Sequence, residues 1–102
     1  MQWQVVFHQA FEAEYVELAH EVQDGFVAAA GLLQRQGPLL GRPHADTLEG
    51  SAYANMKELR FAAADGVWRV AFAFDPTRKA IVLVAGDKAD SRFADHLETL
   101  KG

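Results

Sequence analysis

Cysteine is absent from the 102 residues, which removes disulfides, thiolate nucleophiles and cysteine-built zinc sites together. No apolar run approaches the roughly 20 residues that span a bilayer. The opening Met-Gln-Trp-Gln-Val-Val-Phe has neither the basic region nor the long apolar stretch of a signal peptide, so the expected location is the cytoplasm, with no membrane partner. Gly-rich phosphate loops of the Walker and Rossmann patterns are missing, and Ser51 lacks the glycine spacing of a nucleophile elbow. His8, His20, His44 and His96 show no i, i+4 pairing, so neither a metal site nor a cofactor is expected. Net positive charge is missing too. Ten Lys and Arg stand against 14 Asp and Glu, a formal charge of -4 that does not announce a binder of bare nucleic acid.

What is present is the composition of one compact domain over residues 1–102, with 50% hydrophobic and 24% charged residues. A chain this short builds one core and has little material for a deep private pocket, so function is expected on a face. Residues 3–7 (WQVVF) read as a buried strand. Phe11, Tyr15 and Leu18 follow a helical spacing, and Val22, Phe26, Ala29 and Leu33 continue it as a second helical stripe ended by Gly37-Pro38. The stretch 37–51 reads as a loop. Residues 56–62, 67–75 and 80–86 read as three strands, joined at Asp65-Gly66 and at Asp75-Pro76-Thr77-Arg78 into an antiparallel meander. Residues 91–100 return to a helical period.

Side chains alternate across a strand, so Lys57, Leu59 and Phe61 share one face and Met56, Glu58 and Arg60 the other. Likewise Trp68, Val70, Phe72 and Phe74 oppose Arg69, Ala71 and Ala73. Residues 1–36 hold five acids and one base, whereas residues 37–102 hold nine of each, so the whole charge deficit belongs to the helical segment. The cations of the strand region, Arg60, Arg69 and Lys88 with Lys57, Arg78, Lys79 and Arg42 as auxiliaries, can gather into one patch. Such a patch suits a phosphodiester, because arginine grips phosphate oxygens as a fork and stabilises the charge that builds up in the transition state. RNA carries its own nucleophile, the 2'-hydroxyl, and needs only a base to deprotonate it and an acid for the departing 5'-oxygen. Glu58 is a candidate base, and His44 or His96 a candidate acid. The same residues also have structural readings: a Glu58–Arg60 surface pair, an Arg69 anchoring the sheet, a His44 bonded within its loop.

The ordered set GPLLGRPHADTLEGS (37–51), NMKELRF (55–61), VWRVAFAFDPTRKAIVLVAGDK (67–88) and ADHL (94–97) closely resembles the HigB-type branch of the RelE/ParE toxin superfamily over nearly the whole chain. The resemblance implies an α+β, RelE-like fold: two N-terminal helices packed on a curved antiparallel sheet, with a C-terminal helix. It also implies a metal-independent mRNA endoribonuclease, an mRNA interferase that cuts messenger RNA at the ribosome and so inhibits translation. The implied partner is a cognate antitoxin with a helix-turn-helix DNA-binding region. By position, Arg60 and Arg69 match the basic sheet residues that hold the scissile phosphate, and Lys88 the basic residue closing the last strand. Met56 and Glu58 stand where the best-characterised RelE toxins carry lysines. After Asp87-Lys88 the chain runs directly into Ala89-Asp90-Ser91, without the segment ending in an aromatic pair that relatives usually have. Two alternatives stay open at this level: a ParE-like gyrase inhibitor without nuclease activity, and a degenerate module that only binds its antitoxin.

Overall fold

The computed structural model describes residues 2–47, 56–64 and 66–87. Within them the chain runs β1 (Gln4–Phe7), α1 (Gln9–Val16), α2 (His20–Gln36), a 3-10 turn (Gly37–Leu39), β2 (Ala45–Thr47), β3 (Met56–Ala63), β4 (Gly66–Phe74) and β5 (Lys79–Asp87). The strands form one sheet in the order β1-β5-β4-β3-β2. Two N-terminal helices and an antiparallel β3-β4-β5 meander agree with the sequence reading.

Two features correct it. The sheet is mixed rather than antiparallel, because β1 runs parallel to β5, with Gln4 opposite Lys79 and Phe7 opposite Val82. A parallel pair requires a long crossover, and the direction in which a strand docks leaves no trace in the composition of WQVVF. The stretch read as a loop also contains β2, three residues antiparallel to β3 in the register Ala45–Leu59 to Thr47–Lys57. Its glycines and prolines mask so short a strand. The helix expected over 91–100 lies outside the described residues.

Local chemistry fixes the helices. His8 sits at the N-cap of α1, where its Nδ1 accepts the Ala10 amide at 3.1 Å and satisfies a donor with no partner inside the helix. The Gln23 side chain donates to the Tyr15 carbonyl at 2.8 Å and ties the end of α1 to α2. At the other end of α2, Gly37 has φ +53°, and a Cβ there would fall inside the Trp3 indole. Glycine is thus required twice, by the backbone and by the ring.

The helices cover one face of the sheet. Phe11, Phe26 and Leu33 pack against Leu59, Val70, Phe72 and Val82, with Phe61, Trp68 and Phe74 alongside. Phe7, Phe11, Tyr15 and Phe26 form an aromatic cluster with ring centroids 4.8 to 5.8 Å apart. A bulge shifts the register of β4 and β5: Ala71 pairs with Val84, Phe72 pairs with Val82, and Leu83 is left over. Strict alternation would put residues 80, 82, 84 and 86 on one face. The extra residue instead sends Ala80, Val82 and Ala85 to the helix side, and Val84 to a smaller cluster with Met56 and Ala71 on the other.

Leu33 is fully buried, so Leu33→Ala should lower the unfolding free energy by about 2–5 kcal/mol, read by urea denaturation. Gly37→Ala should cost about 1–3 kcal/mol and red-shift the tryptophan emission as Trp3 is displaced.

Candidate active site

The face away from the helices carries a row of charge. In the β3–β4 register Arg60 lies directly opposite Arg69, and Arg69 lies opposite Gly86 of β5. One pleat along, Asp46 of β2, Glu58 of β3, Ala71 of β4 and Val84 of β5 form the next row. Two cations facing each other across an antiparallel pair repel. Glu58 answers that repulsion. Its Oε1 accepts from Arg60 Nε at 3.0 Å and from Arg60 Nη2 at 2.5 Å, while Oε2 stands 3.6 Å from Arg69 Nη1. The Glu58 side chain is 5% exposed against 38% for Arg60 and 26% for Arg69, so the carboxylate lies beneath and the guanidinium groups above. The hydrogen bonds to Glu58 raise the Arg60 pKa further above its already high value.

Small residues make this arrangement possible. Ala71 and Gly86 leave the room that two guanidinium groups need, which is why the bulge matters: it brings Gly86 rather than a larger side chain beside Arg69. On the far edge of β5, beyond the end of β1 pairing, Glu14 of α1 reaches over so that its Oε1 accepts the Ala85 amide at 3.0 Å.

The other sequence-predicted residues are distributed unevenly. His44 adjoins the site, since its carbonyl accepts the Arg60 amide at 2.8 Å and extends the β2–β3 pairing. Arg42 binds Asp46 through Nε at 2.8 Å and borders the cluster from the sheet edge. Lys57 stands on the face shared with Leu59 and Phe61, opposite to Arg60. Arg78 and Lys79 belong to the β4–β5 turn, where the Arg78 guanidinium lies 5.1 Å from the Trp3 ring centroid. At about 3.4 Å per residue, that turn is some 17 Å along β4 from Arg69. Lys88 and His96 lie outside the described residues. Sequence reasoning missed Asp46 and Gly86; the Arg42–Asp46 spacing of four and the Ala85-Gly86 step in a β-branched run were the available signals. Among the described residues no group of three or more His, Asp or Glu is placed to hold a metal ion, and no helix is long and apolar enough to cross a membrane.

A two-helix layer on a five-stranded mixed sheet, with the arginines on the face away from those helices, defines a RelE-like fold. Over 98% of both chains the structure superposes on a double-arginine mutant of the E. coli toxin RelE in the free state, with a TM-score of 0.73 at 12% identity. Over 89% of this chain it matches RelE from the Pyrococcus horikoshii OT3 RelE–RelB complex, with a TM-score of 0.62 at 16% identity. Residues 13–99 match the family described as phage derived protein Gp49-like (DUF891). Two Mycobacterium tuberculosis proteins named as candidate toxins are also similar. HigB3 is 41% identical over 85 residues, covering 83% of this chain and 73% of HigB3. HigB2 is 41% identical over 95 residues, covering 78% of this chain and 47% of HigB2, so the chain spans less than half of that relative. The chain belongs to the Gp49-like family, is HigB-like in sequence and RelE-like in fold.

The pH response of the site edge follows from Asp46. The Thr47 amide, and then Arg42 and Arg60, hold its carboxyl below the usual range against a smaller opposing effect of desolvation. A depressed folded-state value contributes stability that is present above the unfolded value of about 3.9 and is lost as pH falls through the folded value. The stability difference between wild type and Asp46→Asn should therefore shrink as pH is lowered below about 4, with the Thr47 amide resonance titrating over the same window.

Proposed function

We propose that the chain is the toxin of a type II pair and acts as a metal-independent mRNA endoribonuclease on translated messages at the ribosome. The observation that carries the reading is the Arg60–Arg69 pair, two guanidinium groups set side by side over one buried carboxylate. The Nε and Nη2 of Arg60 are engaged by Glu58, which leaves the Nη1/Nη2 end of its fork for a phosphate. In the proposed reaction a base takes the 2'-hydroxyl proton, the 2'-oxygen attacks the adjacent phosphorus, and the P–O5' bond breaks with a proton delivered to the departing oxygen. The products are a cyclic phosphate and a 5'-hydroxyl. Arg60 and Arg69 hold the phosphoryl oxygens as their charge grows, which is where fixed cations lower the barrier most. Lys88 is the third cation of this reading, and His44, next to Arg60 in the sheet, is the candidate acid.

The partner proposed is a cognate antitoxin carrying a helix-turn-helix region. Support comes from the archaeal RelE neighbour, whose structure is that of a RelE–RelB complex, and from the exposed guanidinium groups, which a partner can neutralise with acidic or apolar contacts.

Arg69→Ala is the discriminating variant, because both Arg60 bonds to Glu58 are made without Arg69. In a ribosome-supplemented cleavage assay it should cut mRNA about 100- to 1,000-fold more slowly than wild type and relieve growth arrest on expression. Undiminished cleavage by the folded variant would remove this site from the mechanism. DNA-damage signalling with intact messages would instead favour gyrase inhibition.

A further inference from the structure

We propose that Glu58 is a positioning residue: it fixes Arg60 and Arg69 as a single two-arginine seat for one phosphate rather than accepting the substrate's proton. The inference deepens the ribonuclease reading and rests on it. A general base must come within hydrogen-bond reach of the proton it removes. Neither Glu58 oxygen is open to it: Oε2 accepts no hydrogen bond but is buried beneath the guanidinium groups. Oε1 already accepts two N–H groups from Arg60, Oε2 faces Arg69 Nη1 at 3.6 Å, and the side chain is 5% exposed. A 2'-hydroxyl could reach it only by displacing the two cations that the reaction needs.

The geometry also explains why an acid is placed under a phosphate site at all. Without it, Arg60 and Arg69 face each other across the ladder as like charges, and the long Arg60 side chain loses the two bonds that hold it down. With it, the side-on edge of Arg60 is locked downward, its end-on fork is left for the ligand, and Arg69 is drawn toward the same carboxylate. The neighbours Ala71 and Gly86 are small, and the bonds to Glu58 set the direction of the Arg60 guanidinium beside them. Asp46 lies opposite Glu58 across β2 and β3 but is occupied by Arg42 and the Thr47 amide, so it does not substitute.

The test uses the full chain as wild type, Glu58→Gln and Glu58→Asp. Glutamine keeps the volume and loses the charge; aspartate keeps the charge and withdraws it by one methylene. The first measurement is solvent exchange of the Arg60 Nε–H by nitrogen-15 NMR, without RNA. Exchange should accelerate about 10-fold in Glu58→Gln, and equal rates in the two proteins would overturn the proposal. The second is the pH profile of single-turnover cleavage of mRNA on ribosomes. Glu58→Gln should slow the step by up to about 100-fold while keeping the acidic limb of the profile in place, and Glu58→Asp should recover part of the rate. Loss of the acidic limb in Glu58→Gln would identify Glu58 as the base and sink the positioning role. If the wild type cleaves no message, the ribonuclease reading fails, and the exchange measurement still decides whether Glu58 holds the arginines.

Discussion

Arg60 and Arg69 oppose each other on neighbouring strands, and the repulsion between them is answered from below by the Glu58 carboxylate. The arrangement sets a demand on everything around it. Burying a carboxylate costs several kcal/mol unless hydrogen bonds and opposite charge replace its water, and here Arg60 supplies two hydrogen bonds and Arg69 a nearby charge. Such an ion cluster is weak evidence for stability, since an apolar replacement of the same volume often folds as well. Its use is orientation. The stability must come from elsewhere, and it comes from the helix-covered side, where Phe11, Leu33, Leu59, Phe72 and Val82 are fully buried.

The two faces are thus divided by task, and the bulge at Leu83 is the joint between them. With strict alternation, Val84 and Gly86 would point to the helices and Ala85 away. The inserted residue reverses that for the second half of β5, so a small side chain enters the core and a glycine comes beside Arg69. Glu14 secures the same stretch from α1 through the Ala85 amide. Core packing and site geometry consequently share one strand. A change at Ala85 acts on both, on the core through volume and on the site through the strand register.

How much of this was legible in the chain follows from which forces leave a local mark. Alternation in MKELRF and VWRVAFAF assigns Glu58, Arg60 and Arg69 to one face and Leu59, Val70 and Phe72 to the other, because the period of two is imposed by backbone geometry alone. The helical spacing of Val22, Phe26, Ala29 and Leu33 is equally local, and each packs inward on α2. Strand order and direction are decided by long-range docking, so the parallel placement of β1 against β5 could not be read from WQVVF. Nor could β2, whose three residues are held by the ladder with β3 rather than by their own propensity. Alternation also turns Lys57 away from Arg60, and the Asp75-Pro76-Thr77-Arg78 connection already puts Arg78 at a strand end, so gathering all of these cations into one patch asked more than the spacing allows. The ion cluster was half visible: Glu58 and Arg60 share a face by alternation, but burial of the one beneath the other depends on Ala71 and Gly86 across the sheet.

The formal charge of -4 takes on a different meaning once the layers are placed. Glu12, Glu17, Glu21 and Asp24 are exposed on the helical layer, while the site row lies on the other side of the sheet. Exposed charges separated by more than about 8 Å are largely screened at physiological ionic strength, so the helix acids do little to cancel the arginines locally. They do, however, deny the molecule a long-range field that attracts polyanions. Counting the described charges of the site row and its edge, Arg42, Arg60 and Arg69 stand against Asp46 and Glu58, a surplus of one cation. Binding of bare nucleic acid draws mainly on many phosphate contacts and the counterions they release, and a surplus of one gives little of that. A site of this kind works by geometry at short range. Under the proposed reading, the message has to be brought to the two guanidinium groups by a larger assembly that already holds it, which is the physical reason that a chain of this charge would cut translated mRNA rather than RNA in solution.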